Sequence, residues 1–196
     1  MDEKDFSRGG GFSRLESRGV PEPNIVYFDL ETQKSAEEVG GWDKIRDMKM
    51  SVGVIFEEAS QRYCIFSEAQ VDDLIGSLAA ADLVVGFNVV RFDYEVLRGY
   101  GKFAAPKTLD MLVEVQKTLG HRLTLDSLAQ ATLGSTKTAD GLEAIRWFKE
   151  GQLVKIAEYC CYDVKITREL FLHGREKKKL FYSSRDGDKR VVSVHW

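Results

Sequence analysis

Asn24-Ile25-Val26-Tyr27-Phe28-Asp29-Leu30-Glu31-Thr32 is the stretch on which the fold turns. It is dominated by β-branched and aromatic residues and follows a segment closed by Pro21 and Pro23, so it reads as a first strand. With a period of two, Ile25, Tyr27, Asp29 and Glu31 share one face while Val26, Phe28 and Leu30 take the other. Two carboxylates therefore stand side by side in an apolar strand. That costs several kcal/mol unless a counter-charge is present, and a divalent cation is the simplest one. The competing reading is a strand end whose acids sit in solvent.

Working outward, residues 51–57 and 62–66 read as two more strands joined by a short polar connection, which makes an antiparallel start. Residues 68–81 carry Val71, Leu74, Ile75 and Leu78 at helical spacing, and 83–87 form a short apolar run suited to a buried parallel strand. Helices are expected over 93–99, 108–119, 124–133, 141–149 and 153–175, with Gly120 and Gly134 as stops and room for one more strand. Residues 180–184 and 190–196 flank Asp186-Gly187 as a hairpin. The order implies an α/β fold with a mixed central sheet, antiparallel over its first three strands and then parallel, flanked by helices and closed by a C-terminal β-hairpin. No internal repeat, phosphate-binding loop or paired Cys/His pattern is found.

The 196 residues fit one domain with a full core, and 43% hydrophobic with 30% charged residues is an ordinary globular composition. We expect a flexible tail over 1–23, a main domain over 24–175 and a basic hairpin extension over 176–196. The tail lacks the apolar centre of a secretory signal. The longest apolar stretch, 83–90, falls far short of the ~20 residues that span a bilayer. Three cysteines, Cys64, Cys160 and Cys161, make no ordinary disulfide framework and point to a reduced, cytoplasmic setting.

A net charge of −3 gives no support for a nucleic-acid partner. Arg175, Lys177, Lys178, Lys179, Arg185, Lys189 and Arg190 crowd the C-terminal segment, either as a solvated face or as phosphate contacts.

Two further groups join the strand acids. Gly86-Phe87-Asn88-Val89-Val90-Arg91-Phe92-Asp93 follows the expected parallel strand, and ligands of open α/β sheets gather at strand carboxyl ends. Asp93 also reads as a first-turn helix residue stabilised by the helix dipole. Tyr159 and Asp163 lie four apart in the long helix and share a face, while Tyr162 points elsewhere; the plainer reading is a core aromatic beside a surface acid. Asp110 and Asp126, near expected helix starts, are read as caps or surface acids.

Taken in order, Phe28-Asp29-Leu30-Glu31-Thr32, Gly86-Phe87-Asn88 with Phe92-Asp93, and Tyr159-Cys160-Cys161-Tyr162-Asp163 resemble the three motifs of the DEDD exonuclease superfamily in its tyrosine subclass. The form is similar to the proofreading domains of family B DNA polymerases. Leu133-Gly134 with Lys137 resembles a segment between the second and third motifs, and the likeness runs from Asn24 to Leu172. The histidine subclass has its His five residues before the last Asp, where this chain has Glu158.

The resemblance implies a ribonuclease H-like fold and 3′–5′ exonuclease activity using two divalent cations, Mg²⁺ or Mn²⁺. Asp29 would bridge both cations, Glu31 and Asp163 would complete the first, and Asp93 would serve the second. Tyr159 would hold the attacking water. An unperturbed phenol pKa near ~10 makes it an orienting group rather than a base. All-oxygen ligation suits hard cations. Phe87, Asn88, Lys137 and Trp42 are candidate contacts to substrate, although the favoured reading of Trp42 is a residue packed on the core.

The expected partner is a DNA or RNA 3′ end, single-stranded, with DNA favoured. No polymerase domain follows in the sequence, so the chain is expected either to be free-standing or to act with a partner, with a helicase or polymerase on a separate chain as the candidate. The alternatives are a catalytically silent ribonuclease H-like module that binds nucleic acid or scaffolds, and an RNA-trimming exoribonuclease.

Overall fold

The computed structural model describes residues 23–135, 141–184 and 186–196, and the readings made for residues 1–22 and for Lys137 lie outside them. The strand expected at 24–32 is β1 (Ile25–Thr32). The polar connection after it holds a single-turn helix, α1 (Ala36–Val39), and a 3-10 stretch, Trp42–Asp47. Strands β2 (Met50–Glu57) and β3 (Arg62–Ser67) follow, each antiparallel to its predecessor. Helix α2 (Val71–Ala79) leads to β4 (Leu83–Gly86), which pairs parallel with β1. Helix α3 (Asp93–Arg98) leads to β5 (Thr108–Asp110), parallel to β4. The strand order is β3-β2-β1-β4-β5, the mixed sheet expected from the sequence.

Helices α4 (Met111–Leu119), α5 (Leu125–Leu133), α6 (Gly141–Lys149) and α7 (Leu153–Lys177) come next, then the hairpin of β6 (Lys179–Ser183) and β7 (Lys189–Ser193). A helix expected to start at Thr108 instead starts at Met111. Residues 108–110 use their backbone groups in the pairing of Thr108 with Val84 and Asp110 with Gly86. Three residues are too few for alternation to be visible. Gly120 and Gly134 end α4 and α5 with φ of 76° and 73°, the left-handed stop that suits glycine.

Period two in β1 sorts two cores. Ile25 and Tyr27 pack with Val54, Phe56 and Val85 of the sheet and with Ile156, Cys160 and Val164 of α7. Val26, Phe28 and Leu30 pack on the opposite side with Leu74 and Leu78 of α2 and Tyr94 and Leu97 of α3. Asp29 and Glu31 continue the first of these faces, so they look toward α7. The register slips between Glu31 and Thr32, where Glu31 opposes Val52 and Thr32 opposes Met50. Such irregularities bend a strand and re-aim its side chains.

The hairpin completes the first core. Leu180, Tyr182, Val192 and Val194 are buried in it with Phe171 and Leu170 of α7. The Thr132 hydroxyl donates to the Phe181 carbonyl at 2.9 Å and accepts from the Phe181 N–H at 2.8 Å. Trp196 Nε1 donates to the Phe171 carbonyl at 3.1 Å, and its ring lies so close over Gly174 that a Cβ there would come within 2.7 Å. Leu180→Ala is therefore expected to destabilise the whole chain by about 2–5 kcal/mol, measured by denaturant unfolding. A change confined to a separate minor transition would mean that the hairpin folds apart from the sheet.

Candidate functional site

Asp29 and Glu31 meet Asp163 of α7, and a carboxylate oxygen from each of the three lies within 4.8 Å of the others. Tyr159, one turn before Asp163, hydrogen-bonds it, as residues four apart on one helical face can. The Tyr159 ring is buried against Trp147, edge to face at 6.1 Å. Asp93 reaches the site from the other side of β1. It is the first residue of α3, and its Oδ1 accepts from the Leu30 N–H at 3.0 Å, between the two strand acids. Asp93 opens a helix, as one of its sequence readings has it, and it is buried against β1 rather than left in solvent. All five side chains line one cleft of about 450 Å³, with Phe87, Asn88, Phe92 and Arg122 among its other walls.

The loop that delivers Asp93 is held by a residue read from the sequence only as a cap. Asp110 caps α4 through the Leu112 N–H at 3.1 Å and also accepts from the N–H groups of Asn88, 2.8 Å, and Val90, 3.0 Å. Asn88 has φ of 68°, a left-handed conformation that asparagine tolerates better than most residues. Gly86 precedes it where a Cβ would come within 2.2 Å of Val89 and 3.1 Å of the Phe28 carbonyl, so only glycine fits. Asp126 sits in the first turn of α5, whose cap is Thr124.

Electrostatics mark this as a costly arrangement. Burial first, then the charges of Asp93, Asp163 and Glu31, push the Asp29 carboxyl well above the usual range. Burial pushes Asp93 up to about 7, against the lowering effect of its backbone hydrogen bonds. Tyr159 is raised by burial and by Asp163, Glu31 and Asp29, so it remains a neutral phenol. Cys160, which the sequence presents only as a core position, directs its thiol to Asp29, with Sγ 3.4 Å from both the backbone oxygen and Oδ2. Oxygen donors at this separation, short of positive charge, fit a hard divalent cation.

The remaining candidates separate. Phe87 and Asn88 are half-buried in the cleft, and Asn88 Oδ1 accepts from Arg122 Nη2 at 2.7 Å. Trp42 does not pack into the core: it is 67% exposed, its ring centre 6.3 Å from that of Phe92. Between these two rings and Leu142 lies an apolar cavity of about 570 Å³ that shares Glu31 and Phe92 with the carboxylate cleft. Arg122 carried no signal in the sequence because nothing there reveals that the α4–α5 turn faces the second motif.

No protein-family model and no curated protein match the chain. Among solved structures, the family B DNA polymerase from the hyperthermophilic archaeon Pyrobaculum calidifontis superposes with a TM-score of 0.62 at 15% identity, over 79% of this chain and 25% of the polymerase. The chain thus spans about a quarter of that protein's length, and the likeness is one of fold. The fold is ribonuclease H-like: the mixed five-stranded sheet, flanking helices and terminal strand pair match it. Among the described residues no helix is long and apolar enough to cross a membrane.

A pH dependence follows from Asp93. Its folded-state pKa lies above the ordinary aspartate value of about 3.9, so between there and about 7 the folded state holds the extra proton. Stability then falls as pH rises through that window. In EDTA, the melting temperature of the wild-type chain should drop from pH 5 to pH 8, and Asp93→Asn should flatten the drop. A wild-type profile that rises over that window would show that Asp93 is not held protonated.

Proposed function

We propose that this chain is a metal-dependent 3′–5′ exonuclease of the DEDD tyrosine subclass, acting on single-stranded nucleic acid ends, with DNA favoured. The observation that carries this reading is the trio Asp29, Glu31 and Asp163 within 4.8 Å, with Tyr159 bonded to Asp163 in the same cleft. The ordered motifs and the polymerase-like fold support it.

Asp29, Glu31 and Asp163 would hold Mg²⁺ or Mn²⁺, with Asp93 serving a second ion. Bound divalent cations supply Lewis acidity, easing deprotonation of the attacking water and stabilising charge on the entering and leaving oxygens. In the overall reaction a water oxygen bonds to the terminal phosphorus, the bond from phosphorus to the 3′ oxygen breaks, and a nucleoside 5′-monophosphate leaves a strand one residue shorter. Tyr159, a neutral phenol bonded to Asp163, would orient the attacking water and fix its line of attack. The thiol of Cys160 restrains the Asp29 carboxylate. Trp42 and Phe92 offer aromatic surface to the terminal base, and Phe87 lines the carboxylate side. In this reading Lys137 neutralises a phosphate.

The test uses pure protein with end-labelled single- and double-stranded DNA and RNA in Mg²⁺, Mn²⁺ or EDTA. Stepwise shortening from the 3′ end that requires metal and disappears in Asp29→Ala is expected. Tyr159→Phe should retain calorimetric Mn²⁺ binding while turnover falls by about 10²-fold. Absence of shortening on every substrate would sink the exonuclease reading in favour of a silent binding module, and unaltered turnover in Tyr159→Phe would remove the orienting role.

A further inference from the structure

A second groove leaves the carboxylate cleft. Arg122, Leu123 and Thr124, on the turn between α4 and α5, line both hollows. The second, about 820 Å³, is bounded on its other side by the hairpin, through Tyr182, Ser183, Ser184 and Arg190. The His121 and Tyr182 rings meet edge to face at 6.3 Å and join the turn to the hairpin.

Arg122 occupies the junction. It is the one basic side chain among the described residues that line the carboxylate cleft, and it also borders a smaller hollow with Trp42, Asn88 and Phe92. Its bond to Asn88 Oδ1 uses one of the five N–H donors of a guanidinium. Arg190 is exposed and pairs with Asp186 at 3.8 Å, itself 80% exposed. A loose pair between exposed partners contributes little, so a phosphate can replace the carboxylate.

A polyanion that brings one end to a cluster of carboxylates needs positive charge along the rest of its path. Guanidinium groups bind phosphate in a two-point fork, and serine hydroxyls contact phosphate oxygens as well. Both hollows have volumes typical of sites for small molecules, about 300–1,000 Å³, a size suited to individual nucleotide units.

We propose that this groove holds the sugar–phosphate backbone of a single strand upstream of the scissile bond, with Arg122 taking a phosphate at the exit of the carboxylate cleft and Arg190 a later one at the hairpin. This rests on the exonuclease reading and adds to it the route of the strand. The hairpin then serves both core and groove: Leu180 and Val192 close the core, and toward the turn Tyr182, itself buried, borders the groove with Ser183 and Arg190.

The experiment measures binding without turnover. Fluorescently labelled oligothymidylate and oligouridylate are titrated with the full chain in EDTA over a range of salt, for wild type, Arg122→Ala, Arg122→Lys and Arg190→Ala. Unfolding midpoints are recorded for each. The wild-type chain should bind, and Arg122→Ala and Arg190→Ala should each bind several-fold more weakly. Each should also lower the slope of log K against log salt by about 0.7, the value for one phosphate contact on a single strand. Arg122→Lys should keep the slope and lose affinity. Because Arg190 stands apart from Asn88 and the acids, its variant separates strand contact from disturbance of the second motif. A wild-type chain that shortens strands while folded Arg122→Ala and Arg190→Ala match it in affinity and slope overturns the groove alone. A wild-type chain that neither binds nor shortens any strand overturns both readings.

Discussion

Asp29 is pressed by the charges of Asp93, Asp163 and Glu31 in a half-buried setting, and the surrounding structure holds it there. Strand pairing fixes Asp29 and Glu31, since β1 is bonded on both edges by β2 and β4. Helix α7 cannot withdraw Asp163, because Ile156, Cys160 and Val164 anchor the helix in the core. Asp93 is tied to the Leu30 N–H, and its loop is tied to Asp110. Each restraint comes from backbone bonding or core packing, so repulsion among the acids is resisted by the whole fold. A site that costs stability and persists is a functional candidate on physical grounds.

Much of this was legible in the sequence where one element carries its own period. Alternation in residues 24–32 placed Asp29 and Glu31 on one face, and the structure finds Ile25 and Tyr27 in one core and Val26, Phe28 and Leu30 in the other. Spacing in the long helix placed Tyr159 beside Asp163 in the same way. The first four strands, their change from antiparallel to parallel pairing and the terminal hairpin were readable as well.

What stayed hidden depends on contacts between elements distant in sequence. The double use of Asp110, as helix cap and as anchor for Asn88 and Val90, needs β5 to lie next to β4, and β5 is too short to show a period. Cys160 reads as one more apolar position until α7 is laid across β1 and its sulfur meets Asp29. The exposure of Trp42 follows from the 3-10 turn that carries it, which no hydrophobic pattern announces. Arg122 gains meaning only when the α4–α5 turn meets the second motif.

The central claim is that these carboxylates are held together to bind cations. Anomalous diffraction from crystals grown with Mn²⁺ tests it most directly. The account predicts two peaks in the carboxylate cleft, one of them in contact with Asp29, Glu31 and Asp163. An empty cleft at saturating Mn²⁺, with the carboxylates still gathered there, would contradict it.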